Sequence, residues 1–163
     1  MQTGQFCFLT DEYYIDFPDK ALMKNKETIN GVVHDRPCFF AIQDKLEPRI
    51  MWLVPVSTKV DKYRRHYNLK IEKYGYCSSI RFGTVVGTPA AFLVQNMCPA
   101  TERYIKNVYV DKLNVPVRID RRIEEDVIKH SMKTLSDYFR GKPVIFPNVR
   151  YIKSELIRSL QWL

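Results

Sequence analysis

The sequence predicts an α+β fold: a small antiparallel β-barrel or strongly bent sheet, with helical insertions and two C-terminal helices packed on it. Three observations carry this. Runs rich in β-branched and aromatic residues fill the first two thirds of the chain. Turn-forming segments join them, which argues against a parallel sheet. The last third changes to a helical period.

The elements follow in order. "QFCFL" (5–9) reads as a short opening strand. The polar stretch 18–35 is too long for a bare hairpin loop and predicts a short helical turn. "PCFFAIQ" (37–43) and "IMWLVPVS" (50–57), separated by "DKLEPR", read as a hairpin with a longer loop. Pro55 marks an edge or a bend within the second strand, since it cannot donate to a ladder. "SIRFGTVVG" (79–87) and "AAFLVQNM" (90–97) pair through a tight junction at "GTP". Then Ile123, Val127, Ile128, Met132, Leu135 and Phe139 recur at helical spacing. Asp120 is the N-cap of that helix, and Gly141 followed by Pro143 is its stop. A final helix starts at Asn148, with Val149, Ile152, Leu156, Ile157 and Leu160 on one face.

At 163 residues the chain has the length of one domain, taken as 1–163. With 45% hydrophobic residues it can bury a real core. The net charge of +8 and sequence pI of about 9.3 describe partners rather than fold. Such a surface attracts polyanions. No run approaches the roughly 20 apolar residues of a spanning helix. The opening "MQTGQFCFLTDEYY" lacks the basic start and apolar run of a signal peptide, so a cytoplasmic protein without membrane partners is expected. Cys7, Cys38, Cys77 and Cys98 show no Cys-x-x-Cys spacing, and His34, His66 and His130 are scattered. Buried free thiols and no metal site are the reading.

Three clusters carry chemistry. Segment 59–73 sets Lys59, Lys62, Arg64, Arg65, Lys70 and Lys73 against only Asp61 and Glu72, with Tyr63 and Tyr67 interleaved. Cations contact phosphates and aromatic rings stack on unpaired bases, although a charge run can also be no more than a solvated face. "HDRPCFF" (34–40) places His34, Asp35 and Arg36 before a strand. A His-Asp pair alone is more often a capped turn than a dyad, whereas the arginine fork matches phosphate oxygens. If the two strands pair, Arg36 and Ser57 lie at the same end of the hairpin.

Ser57-Thr58-Lys59 is the third cluster. No nucleophile elbow, phosphate-binding glycine loop or carboxylate cluster accompanies it. Hydroxyl, lysine, arginine and histidine can cleave RNA without metal, because the 2′-OH of the substrate is the nucleophile. A lysine crowded by cations has a lowered pKa and can carry the proton.

These residues resemble the MazF-type endoribonuclease toxins: an Arg-Pro before an apolar strand, a strand ending in Ser/Thr, and a later strand ending in Gln. Arg36, Ser57 and Gln95 occupy those places. A resemblance over nearly the whole chain is to the CptN branch of the ToxN/AbiQ toxins, carried by "DRPCFFAI", "WLVPVSTKVDKYR", "KYGYCSSIRFGTVVG" and "AFLVQNMCP". It implies a MazF/CcdB-like barrel and a cofactor-free, metal-independent endoribonuclease that leaves a 2′,3′-cyclic phosphate. It also implies a pseudoknot RNA antitoxin processed from a repeat precursor, a closed toxin–RNA hetero-oligomer, and a role in abortive infection against phage.

The family's active segment is Thr-Ser-Pro-Lys; here Ser57-Thr58-Lys59 lacks the proline, leaving open which hydroxyl faces the phosphate. The family's tyrosine and lysine before the preceding strand have no match, and His34 and Arg36 stand in. Candidate catalytic residues are thus Ser57, Thr58, Lys59, Arg36 and His34. Lys62, Tyr63, Arg64, Arg65, Lys70, Lys73, Arg81 and Gln95 are the candidate RNA contacts. The alternative is a non-catalytic RNA-binding module using the same basic groove. A DNA-binding regulator is disfavoured, because no helix-turn-helix pattern is visible.

Overall fold

The computed structural model describes residues 1–162. Its main sheet is antiparallel. β1 (Phe6–Leu9) is followed by a short helix, α1 (Asp11–Asp16), and by a separate hairpin of β2 (Lys26–Ile29) and β3 (Val32–Asp35). The central hairpin is β4 (Cys38–Gln43) and β5 (Met51–Ser57). Helix α2 (Val60–Tyr74) leaves the end of β5, and β6 (Arg81–Val85) and β7 (Thr88–Phe92) follow. β8 (Cys98–Ala100), β9 (Ile105–Val108), α3 (Arg121–Phe139) and α4 (Val149–Leu160) complete the chain.

The strand order is β6-β7-β5-β4-β1-β9, with β8 also pairing with β5. β6 and β9 do not pair, so the sheet is open among the described residues, and of the two expected forms, barrel or strongly bent sheet, a closed barrel is not seen. The reason lies in the packing. Phe6, Phe39, Trp52, Val54 and Phe92 present one apolar face, and Ile123, Val127 and Leu135 of α3 cover it. A helix stands where a barrel would place its opposite wall. Gly83 of β6 permits the approach, because a Cβ there would meet Ile123 Cγ2 at 2.6 Å. The other face of β4 and β5, with Cys38, Phe40 and Leu53, packs on Tyr13 of α1 and on Ile152, Leu156 and Leu160 of α4. The two central strands are therefore buried on both faces, which is why they read as unbroken apolar runs. Truncating Trp52 or Phe39, both 0% exposed, costs about 3–5 kcal/mol.

On the edge away from β4, β5 serves two partners. Its first half pairs with β8 (Leu53↔Cys98) and its end with β7 (Val56↔Phe92). Pro55 sits in the gap between them. Its carbonyl accepts from Leu93 N at 2.9 Å on that side, so its missing N–H deprives neither ladder. Beyond it, Ser57 and Thr58 meet Glu27 of β2.

Both C-terminal helices start where expected, each under a side-chain N-cap. Asp120 Oδ1 accepts from Arg122 N at 2.9 Å, and Asn148 Oδ1 accepts from Tyr151 N at 3.2 Å. Two expectations change. Segment 18–35 contains a β-hairpin, not a helical turn. Segment 90–97 is a strand only to Phe92, then a 3₁₀ turn over Val94–Asn96. The four cysteines are buried and free, and no helix among the described residues is long and apolar enough to cross a membrane.

Candidate active site

The site lies where β5 ends. Val56 N donates to Pro37 O at 3.0 Å, and Arg36 Nη1 donates to Val56 O at 2.9 Å. Arg36 and Ser57 thus share one end of the hairpin, as antiparallel pairing requires.

A carboxylate joins them. Glu27 of β2, only 6% exposed, is the centre of the cluster. Its Oε1 accepts from Ser57 Oγ (3.3 Å), Thr58 N (3.2 Å) and Thr58 Oγ1 (3.0 Å). Its Oε2 lies 3.7 Å from Arg36 Nη1. Burying this charge is tolerable because it is paired and hydrogen-bonded. The sequence reading did not reach Glu27. The signal was present: Asn30-Gly31 between Ile29 and Val32 is a strong two-residue hairpin signature. Both residues have positive φ, +50° and +76°, as such a turn demands. The register Glu27↔His34 follows from it.

The cluster sorts the candidate residues. Ser57 is 1% exposed; its hydroxyl donates to Glu27 and accepts from Lys59 N at 3.2 Å. Arg36 is equally enclosed, with Nε on Lys24 O at 2.7 Å and Nη1 on Val56 O. Its Nε and Nη1 hold backbone carbonyls, with the Glu27 carboxylate beside them. Thr58 is half-buried and Lys59 exposed. Lys59 also occupies the N-cap position of α2 without a capping side chain, so the positive end of the helix dipole lies beside it. His34 is exposed on β3, opposite Glu27, and takes no part in the cluster's hydrogen bonds. Its neighbour Asp35 ties β3 to Lys26 and to Lys106 (2.9 Å), and these bonds hold its carboxyl below the usual range.

From Lys59 the basic run continues as helix α2. None of Lys59, Lys62, Arg64, Arg65, Lys70 and Lys73 has a carboxylate within ion-pair distance among the described residues. Instead four of them, Lys62, Arg64, Lys70 and Lys73, lie over rings. Arg64 stacks 3.6 Å from the Phe82 centroid, Lys62 lies over Tyr63 and Lys73 over Tyr74. Tyr63 is buried under this helix, close enough to Arg36 and Glu27 to feel both charges, and burial pushes its hydroxyl up. Lys70 and Gln95 meet further along α2, where Lys70 Nζ donates to Gln95 Oε1 at 2.9 Å.

Arg81 stands apart. Its guanidinium makes a two-pronged pair with Asp126 of α3 at 2.7 and 3.0 Å and also donates to Cys77 O. Both prongs are spent on tying β6 to α3. Arg81→Ala should lower stability by about 1–2 kcal/mol in a denaturant melt and leave RNA affinity in a gel shift unchanged. An affinity loss that matches Arg65→Ala would return Arg81 to the RNA surface.

This arrangement is a pair of hydroxyls and a lysine, braced by a buried carboxylate and arginine, opening onto an uncompensated cationic helix. No family model and no curated protein matches the sequence. The fold does match a solved structure. AbiQ, a lactococcal anti-phage endoribonuclease belonging to the type III toxin–antitoxin system, is similar with a TM-score of 0.68 over 98% of this chain and 99% of its own. The identity is 10%, so the likeness is one of fold. It supports the architecture of this group of toxins without resolving a branch within it.

Proposed function

We propose that this chain is a sequence-selective endoribonuclease toxin of the type III toxin–antitoxin kind. The observation that carries the reading is Thr58, held by Glu27, next to Lys59 at the start of a helix whose cations no carboxylate neutralises among the described residues. The AbiQ-like fold supports it, and the segments around Arg36 and Ser57 favour the CptN branch.

The chemistry needs no cofactor. The substrate's 2′-OH attacks the adjacent phosphorus and the 5′-oxygen leaves, giving a 2′,3′-cyclic phosphate and a 5′-hydroxyl. Lys59 stabilises the phosphorane and supplies the proton to the leaving oxygen. Thr58 Oγ1, whose proton goes to Glu27, orients the 2′-OH by accepting from it, and the α2 dipole lies behind the phosphate. Ser57, Arg36 and Glu27 hold this geometry from below. His34 is the candidate base. Lys62, Arg64, Arg65 and Lys73 bind the RNA backbone. The inhibitor is a pseudoknot RNA antitoxin, cut by the toxin from a repeat precursor, that covers the same groove in a closed toxin–RNA hetero-oligomer. The cell gains abortive infection against phage.

The test is incubation of antitoxin-free protein with labelled RNA in EDTA, beside the same DNA sequence. Cyclic-phosphate ends from RNA alone are expected. Intact RNA that still shifts in a gel would leave a binding module without enzyme activity.

A further inference from the structure

The far end of α2 holds a second feature. A cleft of about 480 Å³ opens between this helix and the turn at Gln95–Asn96, with Tyr63, His66 and Phe146 among its walls. Lys70 projects into it, half-buried. Its Nζ donates to Ser79 Oγ at 2.7 Å and to Gln95 Oε1 at 2.9 Å, both neutral acceptors. An ammonium has three donors, so one is left for an occupant. Burial pushes the Lys70 pKa down, and no carboxylate among the described residues compensates it. A cation kept in such a place without a counter-charge is costly unless a ligand meets it.

Gln95 adds a second donor. It is 5% exposed, and because Lys70 can only donate, its oxygen must face Lys70. The amide nitrogen shares its carbon with that oxygen and hydrogen-bonds nothing among the described residues. Phe146 completes the cleft. Its N–H is pinned to Gln95 O at 2.8 Å, its ring centroid lies 5.8 Å from Lys70 Nζ, and 54% of the residue is exposed. An aromatic platform beside two unspent donors at one cleft fits the flat face and acceptor edge of a nucleobase.

We propose that this cleft is a specificity pocket for one unpaired RNA base, guanine, stacked on Phe146 and read through O6 and N7 by Lys70 and Gln95. Lysine to O6 and N7 of guanine is a common specific contact; the unspent donors of Lys70 and Gln95 reject the amino group that adenine and cytosine present, and two adjacent acceptors set guanine apart from uracil with its single O4. Lys70 lies eleven residues along α2 from Lys59, about 16 Å at 1.5 Å per residue, so the base belongs to a nucleotide near the scissile bond and not at it. The proposal rests on the endoribonuclease reading for its place in the reaction, but the pocket is testable without cleavage.

Two measurements decide it. The first is sequencing of the fragments that wild-type protein, Phe146→Ala and Lys70→Met release from a random RNA pool. Wild type should favour guanine about tenfold or more at one position relative to the cut, and both variants should flatten that position whatever their total rate. The second is calorimetric titration of each folded protein with guanosine 3′-monophosphate and adenosine 3′-monophosphate. Guanosine should bind more tightly than adenosine to wild type, and each substitution should erase the difference. Circular dichroism of both variants guards against loss of fold, and the exposed Phe146 position keeps the test alive if Lys70→Met unfolds. Absent cleavage with guanosine preference intact would overturn the enzyme and keep the pocket. Cleavage whose base preference is the same in all three proteins would overturn the pocket and keep the enzyme. No cleavage together with equal binding of the two nucleotides would also overturn the pocket.

Discussion

Lys59→Ala should abolish RNA cleavage while leaving the fold and most of the binding intact. Lys59 is exposed, makes no ion pair among the described residues, and only its backbone is used: the N–H donates to Ser57 Oγ and the carbonyl accepts from Tyr63 N. Alanine keeps both bonds and suits the start of a helix, so thermal melts should coincide. If Lys59 transfers the proton, the rate should fall by about 10²–10⁴-fold. Affinity for a 2′-deoxy RNA analogue, which cannot react, should drop only by the share of one phosphate contact, with the salt slope reduced by about one. Arg65→Ala provides the contrast, with weaker binding in a salt-dependent way and cleavage restored at high RNA concentration. A Lys59→Ala protein that cuts at the wild-type rate would remove this lysine from the chemistry and turn attention to His34.

How much of this was legible beforehand depends on how each element is held. β4 and β5 were readable because both faces are buried, so their runs are apolar throughout. α3 and α4 were readable because each lays a stripe on the sheet and carries a side-chain cap, Asp120 and Asn148. α2 was not readable as a helix, because only Tyr63 among its residues is buried. Its charges dominate the sequence and leave no apolar period. β8 and β9 are short and pair with β5 and β1, far away in sequence, which no local pattern announces. The open sheet in place of a barrel is a tertiary outcome of α3 covering the apolar face. At the site, Ser57, Thr58, Lys59 and Arg36 were visible as residue types. Their division of labour was not, since it depends on Glu27, which arrives from a hairpin announced only by Asn30-Gly31. Gln95 was found for one reason and placed for another: it sits on a 3₁₀ turn against Lys70, not at a strand end against Ser57.

Glu27→Ala should be the most destabilising single change at the site. It leaves the Arg36 guanidinium, 6% exposed, without its counter-charge, and removes the acceptor for Ser57 Oγ, Thr58 N and Thr58 Oγ1 together. Breaking a buried pair from one side costs about 3–5 kcal/mol. For a domain of this size that lowers the melting temperature by roughly 6–20 °C. Glu27→Gln separates charge from shape. The amide oxygen can still serve the three donors, while the NH₂ now faces Arg36 Nη1, so the fall in melting temperature should be intermediate. Cleavage should be compared well below both melting points, on the folded protein. If Glu27 acts by positioning, Glu27→Gln should recover a large part of the cleavage rate that Glu27→Ala loses, because it still accepts from Thr58. Equal and near-complete loss in both, with Glu27→Gln folded, would mean that the carboxylate itself handles a proton. A melting temperature unchanged in Glu27→Ala would break the argument at its base, since Arg36 would then be satisfied without the charge opposite it.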